Sequence, residues 1–263
     1  MSVGEYVGRF AEYYDLCYAD KPYEAEAAFV DGCLRRWSAG ECRKLLELAC
    51  GTGRHTLALE RLGYEVVALD RSGDMIGRAE QKRRAGGSKV RFLEGDMRSF
   101  SAPGAPFDAA VCLFDSLGYA VTNEGVLQTL RRVREHLRPG GLFLCEYWHG
   151  PAMLRRSDRV RYRHWETADG QLWRVSESTL DLRNQTCAVK FNFVGLGRDG
   201  TYWRHGEAHL NRYFSVPEMR LFLTSAGLTP LGEYGGFAEE APIDDSAWHI
   251  VAVAQKPPAA GGA

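Results

Sequence analysis

Hydrophobic positions change period several times along the chain, and each change marks an element. Residues 5–37 follow helical spacing, with Ala25, Phe29, Val30, Cys33, Leu34 and Trp37 recurring at threes and fours. A short apolar run, Lys44–Leu48, ends in Ala-Cys-Gly-Thr-Gly and gives way to a helical stretch through Arg61, which Gly63 stops. The β-branched run Tyr64–Asp70 closes on an acid. Ser72–Arg84 reads as a helix, and Val90–Leu93 as a strand leading into Glu94-Gly95-Asp96-Met97. Phe107–Phe114 is a nearly continuous apolar strand. Glu124–Leu137 predicts a helix closed by Arg138-Pro139-Gly140-Gly141, before a strand at Leu142–Tyr147. Strands apolar on both faces, alternating with amphipathic helices, predict an α/β domain around a parallel sheet.

The rhythm breaks after Trp148. Residues 159–166, 171–181, 186–197 and 201–214 read as strands, separated by Asp169-Gly170, Arg183-Asn184 and Asp199-Gly200. The two Asp-Gly pairs are hairpin signals, so this stretch predicts an antiparallel insertion. The α/β pattern then resumes with a helix at Ser215–Ala226 and a last apolar strand at Trp248–Ala254. The expected organisation is one domain over residues 1–263. Its parts are a helical lid (1–40), a core (41–150), the insertion (151–214), a return to the sheet (215–255) and a disordered tail (256–263).

Composition narrows the function. Lys+Arg number 33 against 34 Asp+Glu, a net charge of −1, without the basic excess that phosphate-backbone binding usually requires. Seven cysteines include no CxxC pair, so neither a disulfide framework nor a structural zinc site is expected. The first fifteen residues carry charges and no apolar core of a signal peptide, and no run approaches a membrane span. A cytoplasmic protein without nucleic-acid or membrane partners is expected, and a homodimer is left open.

The central constellation is Glu47-Leu48-Ala49-Cys50-Gly51-Thr52-Gly53. A small-residue turn between strand and helix lets a ligand approach the backbone, although many such turns serve packing alone. Asp70 ends the next strand 19 positions after Gly51, where a carboxylate can accept both hydroxyls of a ribose. A nicotinamide-dependent oxidoreductase shares that acid but would show G-x-G-x-x-G, from which this turn departs. The segments ELACGTG (47–53), VVALDRSGDMI (66–76), LEGDMRSF (93–100), FDAAVCLFDSLGY (107–119) and LRPGGLFLCEYW (137–148) together resemble the class I S-adenosylmethionine-dependent methyltransferases. The opening RFAEYYDLCYADKPYEAEA (9–27) resembles their small-molecule branch, which includes bacterial sugar-amine N,N-dimethyltransferases.

The resemblance implies a Rossmann-like sheet of seven mostly parallel strands with an antiparallel insertion after the fifth, and S-adenosylmethionine as cofactor. It assigns Glu47 to the methionine ammonium, the Ala49, Gly51 and Gly53 backbone to close approach, and Asp70 to the ribose diol. Arg71 and Met75 would lie along the adenosine. Asp96 and the Met97 N–H would meet the adenine edge, Leu113 the sulfonium end, and Tyr14 (or its neighbour Tyr13) would close the site. Each has a plainer alternative: a local pair for Glu47, a turn acid at Asp70, a helix cap at Asp96, core packing for Met75. Methyl transfer to N or O of a small molecule is the implied reaction. A nicotinamide oxidoreductase and a non-catalytic binding protein remain as alternatives.

Ligands of open parallel sheets sit beyond the carboxyl ends of the strands. That nominates Phe114, Asp115, Ser116 and Tyr119 after the fourth strand, and Glu146, Tyr147, Trp148 and His149 after the fifth. His205, His209 and Arg212 on the last inserted strand are expected to close the pocket. His149 is the first candidate for a general base. Tyr119 is the second, aligned where the sugar-amine branch carries a histidine and able to act as a base only with a lowered pKa. The spacing His205-x-Glu207-x-His209 reads as a polar strand face rather than a metal site. Arg155, Arg156, Arg159, Arg161 and Arg163 against Asp158 favour either an anionic substrate or an ordinary solvated strand.

Overall fold

A computed structural model of the chain describes residues 6–155 and 159–259. Residues 260–263 of the expected tail, and Arg156 and Asp158 of the basic stretch, lie outside the described residues. Among the described residues the strands run in chain order as β1 (Lys44–Leu48), β2 (Glu65–Asp70), β3 (Arg91–Glu94), β4 (Phe107–Cys112), β5 (Leu137–Trp148), β6 (Val160–Thr167), β7 (Gly170–Asp181), β8 (Thr186–Gly197), β9 (Tyr202–Arg212), β10 (Thr229–Tyr234) and β11 (His249–Gln255). The helices are α1 (Arg9–Cys17), α2 (Tyr23–Trp37), α3 (Arg54–Arg61), α4 (Gly73–Gly86), α5 (Asn123–His136), α6 (Gly150–Arg155) and α7 (Val216–Ser225), with a 3₁₀ turn at Ser116–Ala120.

Seven strands form one sheet in the order β10-β11-β5-β4-β1-β2-β3, and β6–β9 form a second, antiparallel sheet. In the larger sheet β11 alone runs against its neighbours, β5 and β10. Alternate side chains of the parallel strands feed two cores. Leu46, Leu48, Ala110 and Cys112 face α5 and α7 through Val126, Leu130, Met219 and Leu223. Leu45, Ala109 and Val111 face α2 and α3 through Val30, Leu34, Ala58 and Leu59. This two-residue alternation inside continuously apolar runs is what a sheet covered on both faces requires.

Two sequence expectations shift. The Arg138-Pro139-Gly140-Gly141 stretch is strand rather than helix stop: Leu137 pairs with Phe107, and Gly140 N and Gly141 O bond Lys256 at 2.9 Å each. β10 was not anticipated, because Pro230 and Gly232 break its pattern at a bulge that only an edge strand tolerates. The 5–37 stretch also divides at Ala19–Pro22 into two helices.

The chain passes from β1 to β2 and β3 on one side, then returns to β4 on the other. Adjacent loops after β1 and β4 therefore diverge, opening a crevice over their carboxyl ends. At the opposite ends, Asp108 ties the same strands together. Its Oδ2 accepts from the Arg43 and Lys44 amides at 2.9 Å, and its Oδ1 from Arg138 Nε at 2.7 Å. Burial pushes this carboxyl up, but the two amides and the guanidinium outweigh it and hold its pKa below the usual range. Asp108→Ala is expected to destabilise the fold by about 1–3 kcal/mol at neutral pH. Because the folded pKa is the lower one, that contribution is present above about pH 4 and fades as pH falls through the folded value. Melting curves of wild type and variant should converge in acid; a constant gap would contradict this account.

Candidate active site

The crevice over β1 and β4 is the floor of a cavity of about 410 Å³, roofed by α1 and the β6–β9 sheet. Its floor begins at the glycine turn. Ala49 and Gly51 have φ of 53° and 56°, and a Cβ on Gly51 would meet nothing within 4 Å, so the backbone there faces open space. Gly53 serves packing instead and does not line the cavity. At φ 78° it presses α3 onto its neighbours, and a Cβ would lie 2.8 Å from Phe92 Cζ and 3.1 Å from Ala79 Cβ.

Three acids mark this end. Glu47 is buried at the carboxyl side of β1, and among the described residues its Oε2 has no hydrogen-bond partner. Burial, reinforced by nearby Asp70, raises its pKa to about 8 despite a contact with Thr56. Asp70 Oδ2 accepts from Gly51 N and Oδ1 from Ser72 N, both at 2.8 Å; burial still raises its pKa against those bonds. Asp96 differs, being gripped by Arg98, whose Nε lies 2.9 Å from Oδ1 and 3.1 Å from Oδ2. That clamp lowers its pKa. Arg71, Met75, Met97 and Leu113 complete the wall, and Met75 and Leu113 are buried.

The lid is bolted to this floor. Asp15 of α1 accepts from Thr52 Oγ1 at 2.6 Å and pairs with Lys82 of α4, which also donates to Thr52 O at 3.0 Å. Arg54 donates to Tyr18 O at 3.1 Å. His55 of α3 lies 2.6 Å from Glu26 of α2, whose other oxygen accepts from Lys21 Nζ at 2.6 Å. The choice between Tyr13 and Tyr14 resolves through packing. Tyr13 stacks on Trp203 away from the cavity, whereas Tyr14 lines it, with a pKa raised by burial.

Toward the insertion, Phe114, Asp115, Ser116, Tyr119, Trp148 and His209 line the cavity. Glu146, Tyr147, His149, His205 and Arg212, also nominated, do not, and the first two are buried within β5. His149 is buried with Nδ1 3.1 Å from Ala247 O, and its backbone bridges to Phe214 outside the sheets, so the first candidate for a base does not line the cavity. His205 stands outside, 3.4 Å from Glu207. Arg212 lies behind the wall, donating to Val121 O, Asn123 Oδ1 and Glu218 Oε1, where it ties the 3₁₀ turn to α5 and α7. Tyr119 is in place but not as a base: burial raises its pKa, and its hydroxyl bonds that of Tyr6.

Several cavity residues escaped the sequence reading. Tyr6 donates its amide to Glu207 Oε1 at 2.7 Å and accepts Ser72 Oγ at 2.9 Å, with its ring 4.1 Å from that of His209. Arg174 of β7 lies 5.4–5.5 Å from the ring centres of Tyr18, Trp165 and Phe191, and its buried Nε and Nη1 have no hydrogen-bond partner among the described residues. Of the basic stretch, Arg161 reaches the cavity and lies over Trp248, while Arg155 pairs with Asp245. His249 is the largest omission. Its Nδ1 is 2.9 Å from Asp115 Oδ1 and 3.0 Å from Glu146 Oε1. The three side-chain atoms lie within 4.8 Å of one another, and the imidazole sits between the two carboxylates.

The comparisons with known proteins agree with this geometry. Residues 45–141 match the model of a methyltransferase domain. The chain is 31% identical over 227 residues to the dTDP-3-amino-3,6-dideoxy-alpha-D-glucopyranose N,N-dimethyltransferase of Streptomyces fradiae, covering 86% of each. The crystal structure of DesVI from Streptomyces venezuelae is 28% identical, with a TM-score of 0.77 over 96% of this chain and 99% of that one. An S-adenosylmethionine-bound amino pentose methyltransferase from Micromonospora echinaspora shares the fold at a TM-score of 0.74 and 23% identity, over 97% and 100% of the two chains. A Rossmann-like sheet with an acid-ringed glycine turn at its switch point is thus the scaffold of an enzyme that uses S-adenosylmethionine. The chain belongs to the class I S-adenosylmethionine-dependent methyltransferases and resembles the sugar-amine dimethyltransferases among them. That membership sets aside the nicotinamide and non-catalytic readings. Among the described residues, no helix is long and apolar enough to cross a membrane.

Glu47 offers a direct check on the floor. Its folded pKa of about 8 lies above the value of a free glutamate, so the neutral form is the one the fold favours. The associated stability is fully present below about pH 4 and is lost as pH rises through the folded value near 8. Without ligand, Glu47→Gln is expected to flatten this decline, measured as melting temperature against pH. An unchanged slope would place the titration elsewhere.

Proposed function

We propose that the protein transfers a methyl group from S-adenosylmethionine to the amine nitrogen of a small, anionic metabolite of the nucleotide-linked amino-sugar kind. The observation that carries this is one continuous cavity. It runs from an unpartnered acid and an open glycine backbone at β1 to an acid–imidazole cluster and an aromatic-caged guanidinium at the insertion.

The cofactor fits the floor. Glu47 Oε2, buried and without a partner, suits an ammonium, which supplies the counter-charge the carboxylate lacks. Gly51 leaves room for close approach, and Asp70 offers the remaining lone pairs of its carboxylate to a ribose diol. Met75, Leu113 and the Met97 amide line the path an adenosine would take, beside Arg71. Asp96 meets an adenine amino group only by sharing its oxygens with Arg98. Tyr14 closes the site from the lid.

When bound, S-adenosylmethionine supplies an electrophilic methyl group, so the chain's own work is orientation and exclusion of water. Phe114 and Trp148 supply apolar walls, and the Tyr6–Tyr119 hydroxyl pair supplies hydrogen bonds to a polar acceptor. Arg174, with Arg161 on the neighbouring strand, suits an anionic group on the acceptor. The S. fradiae relative, whose named substrate is a dTDP-linked amino sugar, supports the same class. Seven cysteines with free thiols support a reducing compartment, the cytoplasm.

Calorimetry should show S-adenosylmethionine and S-adenosylhomocysteine binding. Asp70→Asn, which removes a charged acceptor, should weaken both by about 10- to 100-fold, equivalent to the 1.5–3 kcal/mol of a charge-assisted hydrogen bond. Mass spectrometry of a dTDP-3-amino sugar incubated with enzyme and cofactor should give the N-methyl product. Methylation found on oxygen would overturn the amine reading.

A further inference from the structure

The strongest unassigned feature is the Asp115–His249–Glu146 cluster, which rests at the carboxyl ends of β4 and β5. An aliphatic amine meets the enzyme as an ammonium, whose nitrogen has no free pair until a proton leaves. We infer that Asp115, aligned by His249 with Glu146 behind it, is the group that takes this proton. The inference rests on the amine reading above.

The geometry supports Asp115 in three ways. It follows β4 at a φ of 56°, so the chain turns its carboxylate into the cavity, where its neighbours Leu113, Phe114 and Ser116 also face. Its backbone carbonyl is held by Asn211 Nδ2 at 3.2 Å, and its Oδ1 by His249 Nδ1 at 2.9 Å. Glu146 does not line the cavity. It accepts the Phe114 amide and lies 3.0 Å from His249, which makes it a positioning residue.

The charges facing Asp115 come from every side: His249 from β11, Glu146 from β5 and Lys21 from the lid, with Tyr18, Tyr119 and Cys112 nearby in neutral form. Burial raises Asp115, and Glu146 adds to it, while His249 and Lys21 restrain the rise to about 6. His249 is itself lowered by burial but raised more by the two carboxylates, to about 10. The imidazole therefore stays charged at neutral pH and is not the base; it keeps Asp115 ionised. Lys21 is itself paired with Glu26, so within the three-residue cluster one carboxylate charge remains in excess, which suits an ammonium. In the step, an N–H bond of the substrate breaks, its pair stays on nitrogen, and the proton forms an O–H bond with Asp115. Solvent recovers that proton after turnover.

The test is the pH dependence of kcat/KM for a dTDP-3-amino sugar, with S-adenosylmethionine saturating. The acid limb of wild type should lie well below the pKa of the free amine. Asp115→Asn should lose about 10²- to 10⁴-fold at pH 7 and recover as pH approaches the amine's own pKa. Its affinity for S-adenosylhomocysteine should be unchanged. His249→Gln removes the charge that restrains Asp115, so its acid limb should move to higher pH with the alkaline plateau kept. If Asp115→Asn does not fold, wild type still decides: an acid limb at the amine's own pKa would overturn the inference, as would an unshifted profile in Asp115→Asn. A wild type that methylates oxygen or transfers to no amine overturns the amine reading and this inference together.

Discussion

A parallel sheet cannot cover its own strand ends where the chain reverses direction, and the rest of this molecule answers that constraint. At the divergence of β1 and β4 two loops part and leave backbone amides and carboxylates facing a gap. One solution would be water. This chain instead lays α1 and a four-stranded sheet across the gap, turning a crevice into a cavity with acids on its floor. Burial of those acids is a direct result, and so is the upward shift of Glu47, Asp70 and Asp115.

The roof is held by unlike contacts at its two sides. Toward the larger sheet, α1 is fixed by charge: Asp15 with Thr52 and Lys82, beside the Arg54 bond to Tyr18. Toward the insertion it is fixed by apolar packing, with Phe10 buried against Leu172 and Phe193 and Tyr13 stacked on Trp203. Such polar bonds depend on alignment, while ring packing tolerates small displacements. The helix is therefore registered by its bonds to the glycine turn and merely seated against the insertion.

Much of this was legible in the chain. The glycine turn, the acids at Glu47, Asp70 and Asp96, and the loop after β4 all follow strands whose apolar runs announce them. What stayed hidden depended on direction. His249 opens a strand, and a strand's first residue lies far from the site whenever the strand is parallel; β11 runs the other way, which brings its amino end to the working edge. His149 shows the converse, following the expected strand yet held back at Ala247 because Phe214, after β9, and Trp248, before β11, bond its flanks. Arg174 and Tyr6 are long-range partners, and no local period encodes which face of a distant hairpin meets a sheet. Arg212 and Gly53 carried the right chemistry but were spent on packing and tethering.

The segment leading into α1 joins the two ends of the site. Tyr6 and Tyr14 precede or belong to α1 and touch both ends of the cavity, the serine after β2 on one side and Tyr119 with Glu207 on the other. One short stretch of chain therefore supplies wall to both halves of the cavity, so a change at Tyr6 reaches the floor beside β2 and the side beside β9 together.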